Sequence, residues 1–237
     1  MIRYLVVLVI GLALGAAAAS TLLFYNPLAA QNPLSPLSVS DKEIISLTYS
    51  TVASDAIVYT NDGVSRSHPH PVKVQQLWEA PIRRTDVLVT VLADSRSNPA
   101  GIGIKFMSDS ERTRVINGDA LIDSAWHIYL PKRGSLFVEQ TENYWNFLRQ
   151  IVVPAFWSAG ESWKGTWHGN TTVGPGSLGT ARVSGGTGAL AGLESEGVEA
   201  ISARAYSVEQ GPVSMEGSLT IEVVGRNDPQ ETEVAAE

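Results

Sequence analysis

The sequence predicts a mainly β domain, an antiparallel sandwich or barrel, carried behind an N-terminal transmembrane helix. Three observations predict it. Apolar and polar residues alternate over most of residues 41–224, which is the period of half-buried strands. Turn signals separate these runs at short intervals: Asn61-Asp62-Gly63, Asn98-Pro99, Asn117-Gly118-Asp119 and Lys132-Arg133-Gly134. The first 25 residues carry one charge, Arg3.

The uncharged run Tyr4–Tyr25 would reach about 33 Å as a helix at ~1.5 Å per residue, against a bilayer core of about 30 Å. An uncleaved anchor uses the whole run. A cleaved signal peptide would use Tyr4–Leu14 as its apolar stretch and cut after Ala17-Ala18-Ala19. TLLFY continues the apolar run past that cut and favours the anchor. In both cases Arg3 stays cytoplasmic and the rest is exported. Residues 26–40 carry Pro27, Pro33 and Pro36 without periodicity and read as an extended linker. Residues 225–237 are polar and acidic and read as a disordered tail. The folded domain is therefore expected at 41–224.

Strands are expected at 43–52, 55–62, 72–80, 85–94, 100–109, 113–118 and 124–130. TENYWNFLRQIVVP breaks the pattern. Tyr144, Phe147, Leu148 and Ile151 fall at helical spacing, Thr141 is a candidate N-cap and Pro154 a stop. This one short helix is expected to plug or flank the sheet, or to lie at a membrane interface through Tyr144, Trp145 and Phe147. Further strands are expected at 162–170, 177–186, 197–209 and 213–224, the last three consecutive and antiparallel.

VSGGTGALAG (183–192) is the densest glycine stretch, with Gly197 close behind. Leu193-Glu194 stands where a phosphate-binding loop needs Lys-Ser or Lys-Thr. No helix follows, as a dinucleotide fingerprint would require, and Glu194 and Glu196 would repel a pyrophosphate. The stretch instead reads as a tight structural turn between strands through Gly185, Gly186, Gly188 and Gly192. Gly185, Gly186 and Gly188 are expected to supply positive φ.

GTWHGN, then GSLGTARVSGGTGALAGLESEG, then two closing strands ending GSLTIEV, resembles the C-terminal half of the allene oxide cyclase and dirigent barrel superfamily, including its bacterial relatives. The hallmark V-x-GGTG-x-F-x-G-x-x-G is matched by Val183, Gly185, Gly186, Thr187, Gly188, Gly192 and Gly197. Leu190 replaces the usual aromatic, and the final glycine comes two places late. The resemblance covers Trp163–Val224 and implies an eight-stranded antiparallel barrel with an apolar cavity, here enlarged by residues 41–160. Plant members of that superfamily guide the cyclisation of a fatty epoxide or the coupling of phenolic radicals. Their catalytic residues have no counterpart in the matched part.

Composition narrows the function classes. The net charge of −7 and the absence of a basic stripe argue against nucleic acid. No cysteine means no thiol nucleophile and no thiolate metal site. G-x-S-x-G is missing, so an α/β-hydrolase elbow is unsupported. His68 and His70 in SHPHP have only Asp62 as a nearby carboxylate and read as a solvated loop, so neither metal nor cofactor is expected. DSERTR (109–114) reads as a charged hairpin end, and His127 as a structural histidine. Trp126, Trp163, Trp167 and His168 are the candidate ligand-binding residues, with Trp163 and Trp167 on one face and His168 on the other. The expected protein is a barrel held in the periplasm by a bacterial inner-membrane anchor, binding an apolar small molecule or an envelope partner. The alternative is a cyclase or isomerase acting on a lipid-like substrate inside the barrel, and a third possibility is a structural protein with a self-filled barrel.

Overall fold

The computed structural model describes residues 2–25, 43–52, 56–59 and 85–223. The linker, the tail, the whole of the expected 72–80 strand, His68 and His70 lie outside the described residues. Helix α1 (Ile2–Tyr25) forms where the apolar run predicts it. Its described side chains are exposed on every side. Among the described residues no helix is long and apolar enough to cross a membrane; the side chains of Ile2, Leu5 and Leu22–Tyr25 fall outside them. What the structure shows of the expected membrane span is an exposed apolar helix.

Eleven strands follow: β1 (Glu43–Ser50), β2 (Ala56–Tyr59), β3 (Thr85–Ala93), β4 (Pro99–Asp109), β5 (Leu121–Leu130), β6 (Gly134–Asn143), β7 (Ser162–Asn170), β8 (Thr172–Gly174), β9 (Ala181–Gly185), β10 (Glu194–Ser207) and β11 (Gly211–Val223). Eight of them close an antiparallel barrel in the order β1-β11-β10-β9-β6-β5-β4-β3, and Thr48 opposite Ala93 returns the ring to β1. β10 is long enough to serve two neighbours on one edge, β9 over Glu194–Gly197 and β7 over Ala200–Ser207. The three closing strands pair consecutively, as the alternation predicts.

Two expectations are corrected. Residues 113–118 form no strand but a loop with a 3-10 turn, Val115–Asn117, left through Gly118 at φ 79°. Thr141 caps no helix, because β6 runs on to Asn143. The Asn143 Oδ1 accepts instead from the Trp145 N–H at 2.9 Å. Pro154 does not stop the helix either. Trp145–Phe147 is α-helical, Leu148–Val152 widens into a π-turn, and Val153–Trp157 is α-helical again. Pro154 has no N–H, and the wider turn just before it takes up the mismatch.

An eight-stranded barrel is just wide enough for its own side chains to fill. Here they do so in layers. Ile45, Leu47, Leu92, Ile128, Leu136, Val183, Leu219 and Ile221 form an aliphatic layer, closed at its end by Leu190 from the glycine stretch. Below it lies a layer of buried polar side chains. Below that, Phe147 and Ile151 of the helical segment pack on Ala203, Trp163, Trp167, Tyr206 and Met215. The helical segment is thus a plug, as one of the two expectations for it held.

The glycine stretch is a turn, but its glycines act differently from expectation. Gly188 and Gly192 have positive φ, 66° and 71°; Gly185 and Gly186 do not. A Cβ on Gly185 would collide with the Leu190 carbonyl and the Leu193 side chain. One on Gly186 would lie 2.7 Å from the Phe137 ring and the Ser135 hydroxyl. Those two positions are glycine because other chain approaches closely. The Thr187 Oγ1 accepts from the Ser135 N–H at 3.1 Å, stapling the turn to β6.

Candidate functional site

The barrel's polar layer begins with an inversion on β4. Ile102, Ile104 and Phe106 look like the inward set, yet Gly103 and Lys105 point inward. Gly103 leaves room for a ring, since a Cβ there would lie 2.7 Å from the Trp126 indole. Gly217 does the same for the Tyr49 ring. The two rings meet edge to face, with centroids 4.9 Å apart.

Lys105 sits between two carboxylates. Its Nζ lies 2.7 Å from Glu199 Oε1 and 2.7 Å from Glu142 Oε2, and all three side chains are buried. The ammonium also lies 5.5 Å from the Trp126 ring centre. Glu199 accepts from four groups. Lys105 and the Tyr49 hydroxyl donate to Oε1. The Trp126 indole N–H, at 2.9 Å, and the Gln140 amide donate to Oε2. Gln140 is turned this way by Thr172, whose hydroxyl donates to its Oε1 at 2.9 Å. Glu142 accepts from Lys105, from Ser124 Oγ at 2.6 Å and from the Tyr144 hydroxyl at 3.0 Å.

Burial and the neighbouring Glu199 carboxylate hold the Glu142 carboxyl above its ordinary range. Burial pushes Glu199 the same way, but Lys105 and the hydrogen-bond donors outweigh it and leave Glu199 below its ordinary range. Burial opposes the Lys105 charge, and the two carboxylates more than offset that. Burial, then the carboxylates, raise Tyr49 and Tyr144 well above the usual phenol value. The layer is therefore one lysine held between two carboxylates, of which Glu142 has the higher proton affinity and Glu199 the lower. Its capacity is saturated: among the described residues the buried side-chain polar atom without a partner is Thr180 Oγ1, which lies outside this layer.

Of the four candidate ligand residues, Trp126 belongs to this polar layer. Trp163 and Trp167 lie one layer away under the plug, each ring lying over the glycine two residues on, Gly165 and Gly169. Gln150 of the plug accepts from the Trp167 indole N–H at 2.9 Å. His168 points outward, as its parity predicts, and its Nδ1 lies 2.9 Å from Ser202 Oγ. The structure thus does not bring the four together. His127 is also outward, stacked on Phe137 at 4.6 Å. Sequence reasoning missed Lys105, Glu142, Glu199 and Tyr49. The usable signal was Lys105 and Glu199 inside otherwise apolar strand runs. No group of three His, Asp or Glu suited to a metal occurs among the described residues.

A cleft of about 470 Å³ lies outside the barrel. Its wall is the outer face of β4, β5 and β6, through Phe106, Ala125, Asp123, Glu139 and Thr141, with Pro175 and Arg112 at its edge. Arg112 bonds Asp123 Oδ1 at 2.9 Å and Thr141 Oγ1 at 2.7 Å. The DSERTR end is therefore only in part a solvated face. Hydrogen bonds from Ser110, Thr141 and Arg112, in that order, outweigh partial burial and hold Asp123 below its ordinary range.

No protein-family model matches this chain, and no curated protein is recognisably similar to it. Among solved structures it is similar to a nonspecific heme-binding cyclase of neoabyssomicin biosynthesis, at 10% identity and a TM-score of 0.34, over 82% of this chain and 71% of that one. A likeness of that size carries no argument, so the architecture rests on the strand pairing. That pairing gives a closed antiparallel barrel of eight strands, the architecture expected from the sequence.

Proposed function

We propose that the protein is a membrane-anchored binding module that works through the outside of a filled barrel. One observation carries this reading. The interior is packed with its own side chains and its charges are saturated, while the cleft on β4–β6 sets Phe106, Met107, Ala125 and Pro175 beside the Arg112 guanidinium and the Asp123 and Glu139 carboxylates. The ligand that fits is a small molecule with an apolar body for Phe106 and Pro175 and an acceptor group for Arg112. The anchor is α1, with the barrel on the exported side of a bacterial inner membrane. Its support is a 24-residue helix, about 36 Å long at ~1.5 Å per residue, that is apolar on all sides. Native mass spectrometry of the full chain, released from detergent, tests the ligand reading. A retained small molecule lost in Phe106→Arg supports it; a clean apo mass, or retention in that variant, contradicts it. Protease protection in oriented vesicles tests the topology, with the barrel expected to be cleaved only from the exported side.

A second reading has one observation in its favour. Two buried carboxylates whose environments push their proton affinities apart, Glu142 up and Glu199 down, are the arrangement of an acid–base pair. A cyclase or isomerase would use Glu142, with Tyr144, as proton donor to a substrate admitted when the plug moves. Glu142→Gln would then abolish turnover of a lipid-like substrate while leaving its binding intact.

A further inference from the structure

The outside of the barrel has two unlike halves. On β9, β10, β11 and β1 the outward residues are mostly polar, such as Ser184, Ser202, Ser218, Thr220, Ser46 and Thr48, with Ile44 and Val213 as exposed apolar exceptions. On β3, β4 and β5, and at Phe137 of β6, a set of apolar and ring side chains stands outward in register. Val91, Ile102 and Tyr129 form one row, each more than half exposed. Ile104, His127 and Phe137 form the next, with the two rings stacked. Four strands at ~4.8 Å by six residues at ~3.3 Å give a footprint of roughly 400 Å². That lies within the roughly 300–600 Å² of the largest apolar patches on soluble monomers, patches that are often functional.

We propose that this face is the interface with a second copy of the same chain. The rim of the patch decides the occupant. It carries paired charges of both signs: Arg133 with Glu43 at 2.9 Å, Arg182 with Glu139 at 3.5 Å, and Arg112 with Asp123 at 2.9 Å. A two-fold contact places each patch against itself, so it requires a surface whose bases can meet its own acids. A lipid surface would favour a rim of bases alone. The patch has the apolar centre and polar edge of a protein interface. The cleft shares Glu139 and Asp123 with this rim, so the second copy walls the cleft on its open side. The proposal does not depend on which ligand the cleft takes.

The absence of cysteine makes the test clean. The full chain carrying Ile102→Cys, at the centre of the patch, is treated with a short bis-maleimide in a mild detergent. Glu216→Cys, exposed on the polar half, is the control. The expected result is a covalent dimer at least five times more abundant for Ile102→Cys. Equal yields, or none, overturn the proposal. In sedimentation equilibrium the wild type should show twice the 25.4 kDa chain mass, and Tyr129→Lys should show it once with its melting temperature kept. A wild-type monomer, or a Tyr129→Lys dimer, overturns the proposal.

Discussion

Glu199 is the residue on which the interior turns. Four donors from four strands point at one carboxylate, so its charge fixes their geometry. In Glu199→Gln the new amide would face two N–H donors and leave the Lys105 ammonium with one of its two carboxylates, Glu142. Breaking a buried pair from one side costs about 3–5 kcal/mol, and urea unfolding should register a loss of that size. Glu142 makes the opposite prediction. Its folded form holds the proton more tightly than the unfolded chain does. The stability this confers is full below the ordinary value of 4.5 and is lost as pH rises through the raised folded value. Melting temperature should therefore fall from pH 4.5 upward, and Glu142→Gln should flatten that fall while leaving the plateau nearly unchanged. Glu199, held below its ordinary range, sets the acid flank, where stability is lost as pH falls through its folded value.

At the scale of elements, some assignments were legible and others were not, for physical reasons. β1, β3 and β7 were readable because apolar alternation and turn residues agreed. β4 was readable as a strand but not as a face: its apolar side is the outer one, because the outer face is itself an apolar patch. β6 was missed because its inward residues at the polar layer are Gln140 and Glu142, and burial of paired polar groups breaks the apolar period. The helix was seen, but its start was placed on Thr141, a residue that bonds Arg112 from a strand. The buried triad could not be assembled from sequence, since Lys105, Glu142 and Glu199 meet only once the barrel closes. The glycine turn was located, while its cause at Gly185 and Gly186 lay in neighbouring chain. A ranking follows. Gly192→Ala meets open space and should cost about 1–2 kcal/mol, through its left-handed backbone alone. Gly185→Ala must displace the Leu190 carbonyl and should cost more, and Gly186→Val, pressed on Phe137, should also exceed it. Thermal melts of the three variants check the order.

At the scale of the whole molecule, one closed barrel is sealed twice. Leu190 and the glycine turn cover the aliphatic end, and the plug covers the polar end. On the proposed reading that sealing moves the working surface to the outside, where the cleft and the apolar face adjoin, and the lumen stays shut. The Trp126 indole N–H, bonded to Glu199 at 2.9 Å and buried in the polar layer, reports on it directly. We would measure its hydrogen exchange across low concentrations of urea. The account predicts exchange only through global unfolding, with a free energy equal to that of the whole barrel. Exchange at a much lower free energy, insensitive to urea, would show that the plug or the turn opens to admit solvent and a ligand, and would contradict it.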